Sequence, residues 1–134
     1  MRQAPFQRET NETCIRGVLV LDGTGNGGAI ATGLGFFDHM LSAMARHGML
    51  DLELAAEGDL HVDAHHTMED VGLTLGTAFA ECLGDKSGIQ RFGEAVVPMD
   101  DALVRAVDDL SGRPFLGYRV EVDTYEVGGI PPRL

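Results

Sequence analysis

The sequence predicts an α+β fold made of a duplicated unit, a four-stranded sheet with two helices on one face, in which the second copy is incomplete. Three observations lead there. Short runs of alternating or β-branched apolar residues occur at Cys14–Leu21 and Leu50–Leu54, as in half-buried strands. Apolar residues recur at helical spacing over 36–47 and again over about 64–84. The chain also resembles itself: residues 12–18 (ETCIRGV) align with 101–107 (DALVRAV) at an offset of 89, and Leu21 and Gly23 then fall on Leu110 and Gly112. Residues 1–93 read as a complete first repeat and 94–134 as the opening strands of a second.

Taken in order, Cys14–Leu21 reads as a strand running into the glycine-rich turn 22–28, and Ala29–Thr32 as a returning strand. Phe37, Met40, Leu41 and Met44 give a helix over 36–47 that Gly48 stops. Leu50, Leu52 and Leu54 alternate with Asp51 and Glu53 in a third strand, and Asp59–Asp63 continues as a fourth. The long helix follows, with Asp63 as its N-cap and Met68, Val71, Leu75, Ala78, Phe79 and Cys82 as its core stripe. His65, Glu69, Gly72 and Gly76 form a separate line, and two mid-helix glycines, each costing about 1 kcal/mol against alanine, predict close packing there. Gly84–Gly88 ends this helix, and Glu94–Val97, Leu103–Val107 and Phe115–Val122 read as further strands.

Composition limits the partners. A net charge of −11 offers no broad basic face for nucleic acid or an anionic membrane, so an anionic ligand must be met by a few placed arginines. No segment approaches the roughly 20 apolar residues of a membrane span, and the N-terminus has no apolar signal core. Cys14 and Cys82 make neither a disulfide framework nor a zinc ribbon and read as buried thiols in a reducing cytoplasm.

The densest chemistry is His61–Asp70, with three of the five histidines. On a helix His65 and Glu69 stand one turn apart and can grip one ion, while His66 is turned by about 100° and faces elsewhere. An H-H-x-x-E helix therefore suits two metal sites, each short of ligands, and its sulfur-free donors suit manganese, iron or zinc. His39 reads either as a core histidine or as a further ligand. His47 complements a helix C-terminus and can also touch a substrate; His61 reads as an exposed strand residue outside the site. Asp38 and Asp70 either orient imidazoles from behind or are solvated carboxylates. Arg91 and Arg113, beside glycines in turns, are either phosphate forks or plain surface arginines. The loop 22–28 lacks the lysine of a phosphate loop, and no H-E-x-x-H helix or G-x-S-x-G elbow is present.

Six ordered motifs carry a family resemblance: 8–13 (RETNET), 21–25 (LDGTG), 35–41 (GFFDHML), 65–70 (HHTMED), 98–100 (PMD) and 109–114 (DLSGRP). Together they closely resemble imidazoleglycerol-phosphate dehydratase of histidine biosynthesis, a hydro-lyase. The resemblance implies two H-H-x-x-E helices per complete chain, two Mn2+ per complete active site, active sites between subunits and a 24-subunit homo-oligomeric shell. It makes His39, His65, His66 and Glu69 metal ligands, assigns Glu12 and His47 to the substrate with Glu12 as catalytic base, and matches Arg91 and Arg113 to phosphate-binding arginines. Carried 89 positions on, His65 would fall near 154, beyond Leu134. Residues 128–134 read as the opening of another helix, and the chain as C-terminally truncated. The rival readings are an inactive metal-binding fragment and a di-metal phosphate-ester hydrolase.

Overall fold

A computed structural model describes residues 1–132. The chain divides into two units, Met1–Gly84 with the segment from Val122 onward, and Asp85–Glu121. The first holds β1 (Gln3–Glu9), β2 (Thr13–Val20), β3 (Ile30–Ala31), α1 (Gly35–His47), β4 (Asp51–Gly58) and α2 (His65–Leu83); the second holds β5 (Phe92–Met99) and β6 (Ala102–Asp109).

In the first unit the sheet order is β1-β2-β4-β3. β1 and β4 flank β2 antiparallel, placing Ile15 opposite Ala56 and Leu19 opposite Leu52, while β3 runs parallel to β4. Because side chains alternate across a sheet, Ile15 and Leu19 of β2 share one face with Leu52, Leu54 and Ala56 of β4. All five are buried there with Leu41 and Ala45 of α1 and Val71, Leu75, Ala78 and Cys82 of α2. Each large aliphatic side chain buried in this way contributes about 1.5–3 kcal/mol, so this one face holds both helices against the sheet. The α+β class and the four-stranded sheet with two helices are as the sequence indicates.

The differences are local. β1 was hidden in a polar N-terminal stretch because only alternate residues such as Ala4 turn inward. Ile30–Ala31 does not return along β2; it crosses to the far side of β4. Asp59–Asp63 is a turn, not a strand: the Asp59 carbonyl accepts the Val62 N–H at 2.8 Å, reversing the chain toward α2. Phe115–Val122 forms no strand, and Phe115 and Leu116 stand exposed. Cys14 is exposed because it faces away from the helices on β2, whereas Cys82 is buried. Gly48 keeps helical dihedrals and Met49 takes the left-handed conformation (φ 56°) that ends α1. Gly72 and Gly76 have open space where a Cβ would sit, so nothing described packs on that line. Val127 and Ile130 bridge across Gly128-Gly129 in place of a helix start, and Arg133 and Leu134 lie outside the described residues.

In the second unit β5 and β6 form an antiparallel hairpin with Phe92 opposite Asp109 and Met99 opposite Ala102. It occupies the positions to which the 89-residue offset carries the β1–β2 hairpin. Every residue of both strands is exposed, and Arg105 pairs with Glu94 across it at 2.8 Å.

Candidate functional site

The first turn of α2 carries three of the expected ligands. Ala64 is the N-cap residue and makes no side-chain cap; Asp63, one position earlier, accepts the His65 N–H at 2.7 Å and so does part of the capping expected of it. His65 Nε2 and Glu69 Oε2 lie 3.8 Å apart on the exposed face, one turn from each other. His66 lies edge-on to the His65 ring, centroids 5.7 Å apart, and turns one ring nitrogen toward Asp59. Its Nδ1 lies 2.9 Å from Asp59 Oδ2, a hydrogen bond that raises the His66 pKa above its ordinary value.

Asp59 was not singled out by the sequence. It lies seven residues before His66 with no helical or strand spacing to link them, and only the turn at 60–62 brings the two together. Its other oxygen, Oδ1, is buried and meets no hydrogen-bonding group among the described residues. A carboxylate oxygen held this way costs stability.

The turn joining β1 to β2 presents Glu12. Thr10 Oγ1 accepts the N–H groups of Glu12 (3.2 Å) and Thr13 (3.0 Å), and the Glu12 carbonyl accepts the Asp59 N–H at 3.1 Å. The Glu12 side chain is left exposed. Asp70, one turn after His66, clamps the same turn from α2: it accepts Thr13 Oγ1 at 2.5 Å, Arg8 Nε at 2.8 Å and Thr10 Oγ1 at 3.4 Å. These bonds, the Thr13 one foremost, hold the Asp70 carboxyl below the usual carboxylate range. Asp70 thus orients the Glu12 turn and not an imidazole. Asp38 likewise binds no histidine; it accepts the N–H (2.8 Å) and Oγ1 (2.6 Å) of Thr32, tying the exit of β3 to α1.

His39 and His47 are exposed on α1, His47 at its last residue. Among the described residues no three His, Cys, Asp or Glu side chains converge as a cation cage. His65 with Glu69, His66 backed by Asp59, and His39 therefore stand as separate partial sets. As donors they fit a manganese-type ion: nitrogen and oxygen only, with His66 carrying a carboxylate behind Nδ1, the arrangement that orients metal-bound imidazoles.

In the second unit Arg91 is already engaged. Its Nε and Nη2 donate to the two oxygens of Asp109 at 2.6 and 3.1 Å, and Arg91 holds the Asp109 carboxyl below its ordinary pKa. The Arg113 side chain lines an open groove of about 950 Å³ with Arg105, Arg119, Tyr118 and Phe115. The sequence had not marked Arg105 or Arg119, which belong to no motif.

Comparison with known proteins gives one consistent result. The family described as imidazoleglycerol-phosphate dehydratase matches residues 32–134. Enzymes of that name from Acidiphilium cryptum and Gluconacetobacter diazotrophicus are 58% and 54% identical over 133 residues, 99% of this chain and 67% of each relative. The chain spans about two thirds of the length of such relatives. Among solved structures, the Staphylococcus aureus dehydratase superposes with a TM-score of 0.81 at 33% identity, covering 97% of this chain and 71% of that one. The Pyrococcus furiosus enzyme in complex with (S)-C348 gives 0.77 at 39% identity, covering 91% and 64%.

Proposed function

The chain belongs to the imidazoleglycerol-phosphate dehydratase family, and from that premise we propose that it serves the dehydration of D-erythro-imidazole-glycerol phosphate to imidazole acetol phosphate in histidine biosynthesis. The observation that carries the proposal is the placement of Glu12 beside the first turn of α2, through its bond to Asp59 and the Asp70 clamp. A general base and an imidazole-gripping helix are what this reaction needs side by side.

His65 with Glu69, His66, and His39 are the residues that would hold two manganese ions, with the remaining donors supplied from outside the described residues. Such ions, when bound, supply Lewis-acid stabilisation of the substrate's imidazole as its anion. The reaction must remove a carbon-bound proton that no neighbouring carbonyl acidifies, so the ring has to receive the electrons. The Glu12 carboxylate takes that proton. The departing hydroxyl takes up one proton, so that the hydroxide and the proton released from carbon leave together as water, and the enol left behind tautomerises to the ketone. His47 contacts the substrate, and Arg91 and Arg113 of the second unit fix a phosphate by paired N–H bonds. The proposal includes a cytoplasmic homo-oligomer, of 24 subunits for a complete chain. No helix among the described residues is long and apolar enough to cross a membrane.

A second reading, a metal-binding half that needs a complement for turnover, is favoured by one fact: no three ligating side chains converge among the described residues. One experiment separates the readings. Manganese is titrated into the chain, and turnover is assayed for the chain alone and mixed with the last third of a full-length relative. Turnover of the chain alone supports the dehydratase reading outright, and turnover only on mixing supports the half-site reading. Release of inorganic phosphate in place of imidazole acetol phosphate would reveal a hydrolase and sink the proposal.

A further inference from the structure

Asp59 joins three parts of the molecule. It follows the last residue of β4, its N–H donates to the Glu12 carbonyl at 3.1 Å, and its carboxylate meets His66 Nδ1 on α2 at 2.9 Å. We propose that Asp59 is a positioning residue: it fixes the His66 ring as the Nδ1–H tautomer, with Nε2 left as the only bare donor, and holds the Glu12 turn in register with that ring. The proposal rests on the reading of His66 as a metal ligand.

The tautomer follows from the inventory of donors. An ionised carboxylate only accepts, so the ring nitrogen facing it must carry the proton. A neutral imidazole has one N–H, and Nε2 is then unprotonated and able to bind a cation. Ring orientation is fixed by the same bond. Asp59 is itself held: its backbone accepts the Val62 N–H and donates to Glu12, and its side chain is largely buried. The anchor therefore keeps its place when the ring is loaded. Glu12 and His66 share one support, so a displacement of Asp59 would move base and ligand together.

The arrangement differs from the clamp at Asp70. Asp70 touches no imidazole and holds the Glu12 turn through Thr10, Thr13 and Arg8. Removing it should loosen the turn and leave the His66 tautomer unchanged, whereas removing the Asp59 carboxylate should change the tautomer.

Nitrogen-15 NMR of the histidine rings, at alkaline pH where His66 is neutral, tests this in the chain without metal. The wild-type His66 proton is expected on Nδ1. Asp59→Ala should shift it toward Nε2, and Asp59→Asn, whose amide oxygen still accepts, should keep it on Nδ1. Manganese affinity should fall by about 10–100-fold in Asp59→Ala and less in Asp59→Asn. A wild-type ring protonated on Nε2, or a tautomer unmoved by Asp59→Ala in a folded variant, overturns the proposal. The expected tautomers with no manganese binding by the wild type would support the positioning role and remove only the metal reading.

Discussion

Thr13 Oγ1 donates to Asp70 Oδ2 across 2.5 Å, joining the first residue of β2 to the sixth residue of α2. Both residues are buried, Thr13 at 4% and Asp70 at 7% exposure, so the bond is shielded from water. Arg8 Nε closes the other oxygen at 2.8 Å. Replacing Asp70 by alanine leaves a partly buried guanidinium without its carboxylate and the buried Thr13 hydroxyl with only Thr10 Oγ1, 3.1 Å away. We expect Asp70→Ala to lose about 2–4 kcal/mol of stability, read from urea unfolding. Thr13→Val, which removes only the donor, should cost less, because Arg8 and Thr10 still satisfy the carboxylate.

The same carboxylate makes stability depend on pH. Its folded pKa is lowered, first by Thr13 and then by Arg8 against an opposing burial effect. A depressed carboxyl stabilises the fold fully above its unfolded value of about 3.9. That contribution disappears as the pH falls through the lower folded value. The melting temperature of the wild type should therefore drop in this acid window by more than that of Asp70→Asn. Parallel curves for the two proteins would show that other carboxylates set the acid limit.

How far the sequence alone reached depends on the length scale of each signal. The α2 core stripe and the His65–Glu69 pair were legible because helical spacing is local: Val71, Leu75, Ala78 and Cys82 are buried as expected, Met68 and Phe79 only partly, and His65 stands 3.8 Å from Glu69. The turn of His66 away from the His65–Glu69 pair was legible for the same reason, and its Nδ1 meets Asp59 instead. Asp59 and its hold on His66 were not, since a turn of the chain, with no periodicity, creates that contact. Asp70 was seen as a carboxylate with a role, but its partners lie 57 and 62 residues away on a hairpin whose first strand was hidden by polar composition. The glycine line on α2 implied a neighbour that no described residue supplies.

Gly58 sets how closely α2 approaches β4. A Cβ built there would collide with Thr67 Oγ1, in the first turn of α2 between His66 and Glu69. Thr67 is fully buried and cannot swing out to relieve the overlap. Gly58→Ala should cost about 1–3 kcal/mol through forced displacement of the helix start. Thr67→Ala removes the clashing oxygen, and the double variant should recover much of the loss, a coupling that a thermodynamic cycle measures directly. Additive losses would mean that the helix moves for another reason.

Arg91 offers the last test. Its fork is filled by Asp109 through two bonds, so a phosphate arriving at Arg91 must compete with a carboxylate of the same charge sign and similar geometry. Asp109→Asn removes the competing charge while keeping the size and one acceptor oxygen. If Arg91 contributes to phosphate binding, inorganic phosphate should bind this variant more tightly than the wild type, and Arg91→Ala should abolish the gain. The ion pair itself is solvent-exposed, and pairs of this kind contribute little to stability, so unfolding midpoints should barely move. Calorimetric titration reads the affinity and a thermal melt reads the control. An unchanged phosphate affinity in Asp109→Asn would leave Arg91 as a strand-end brace for the β5–β6 hairpin and shift the anion site toward the groove of Arg105, Arg113 and Arg119.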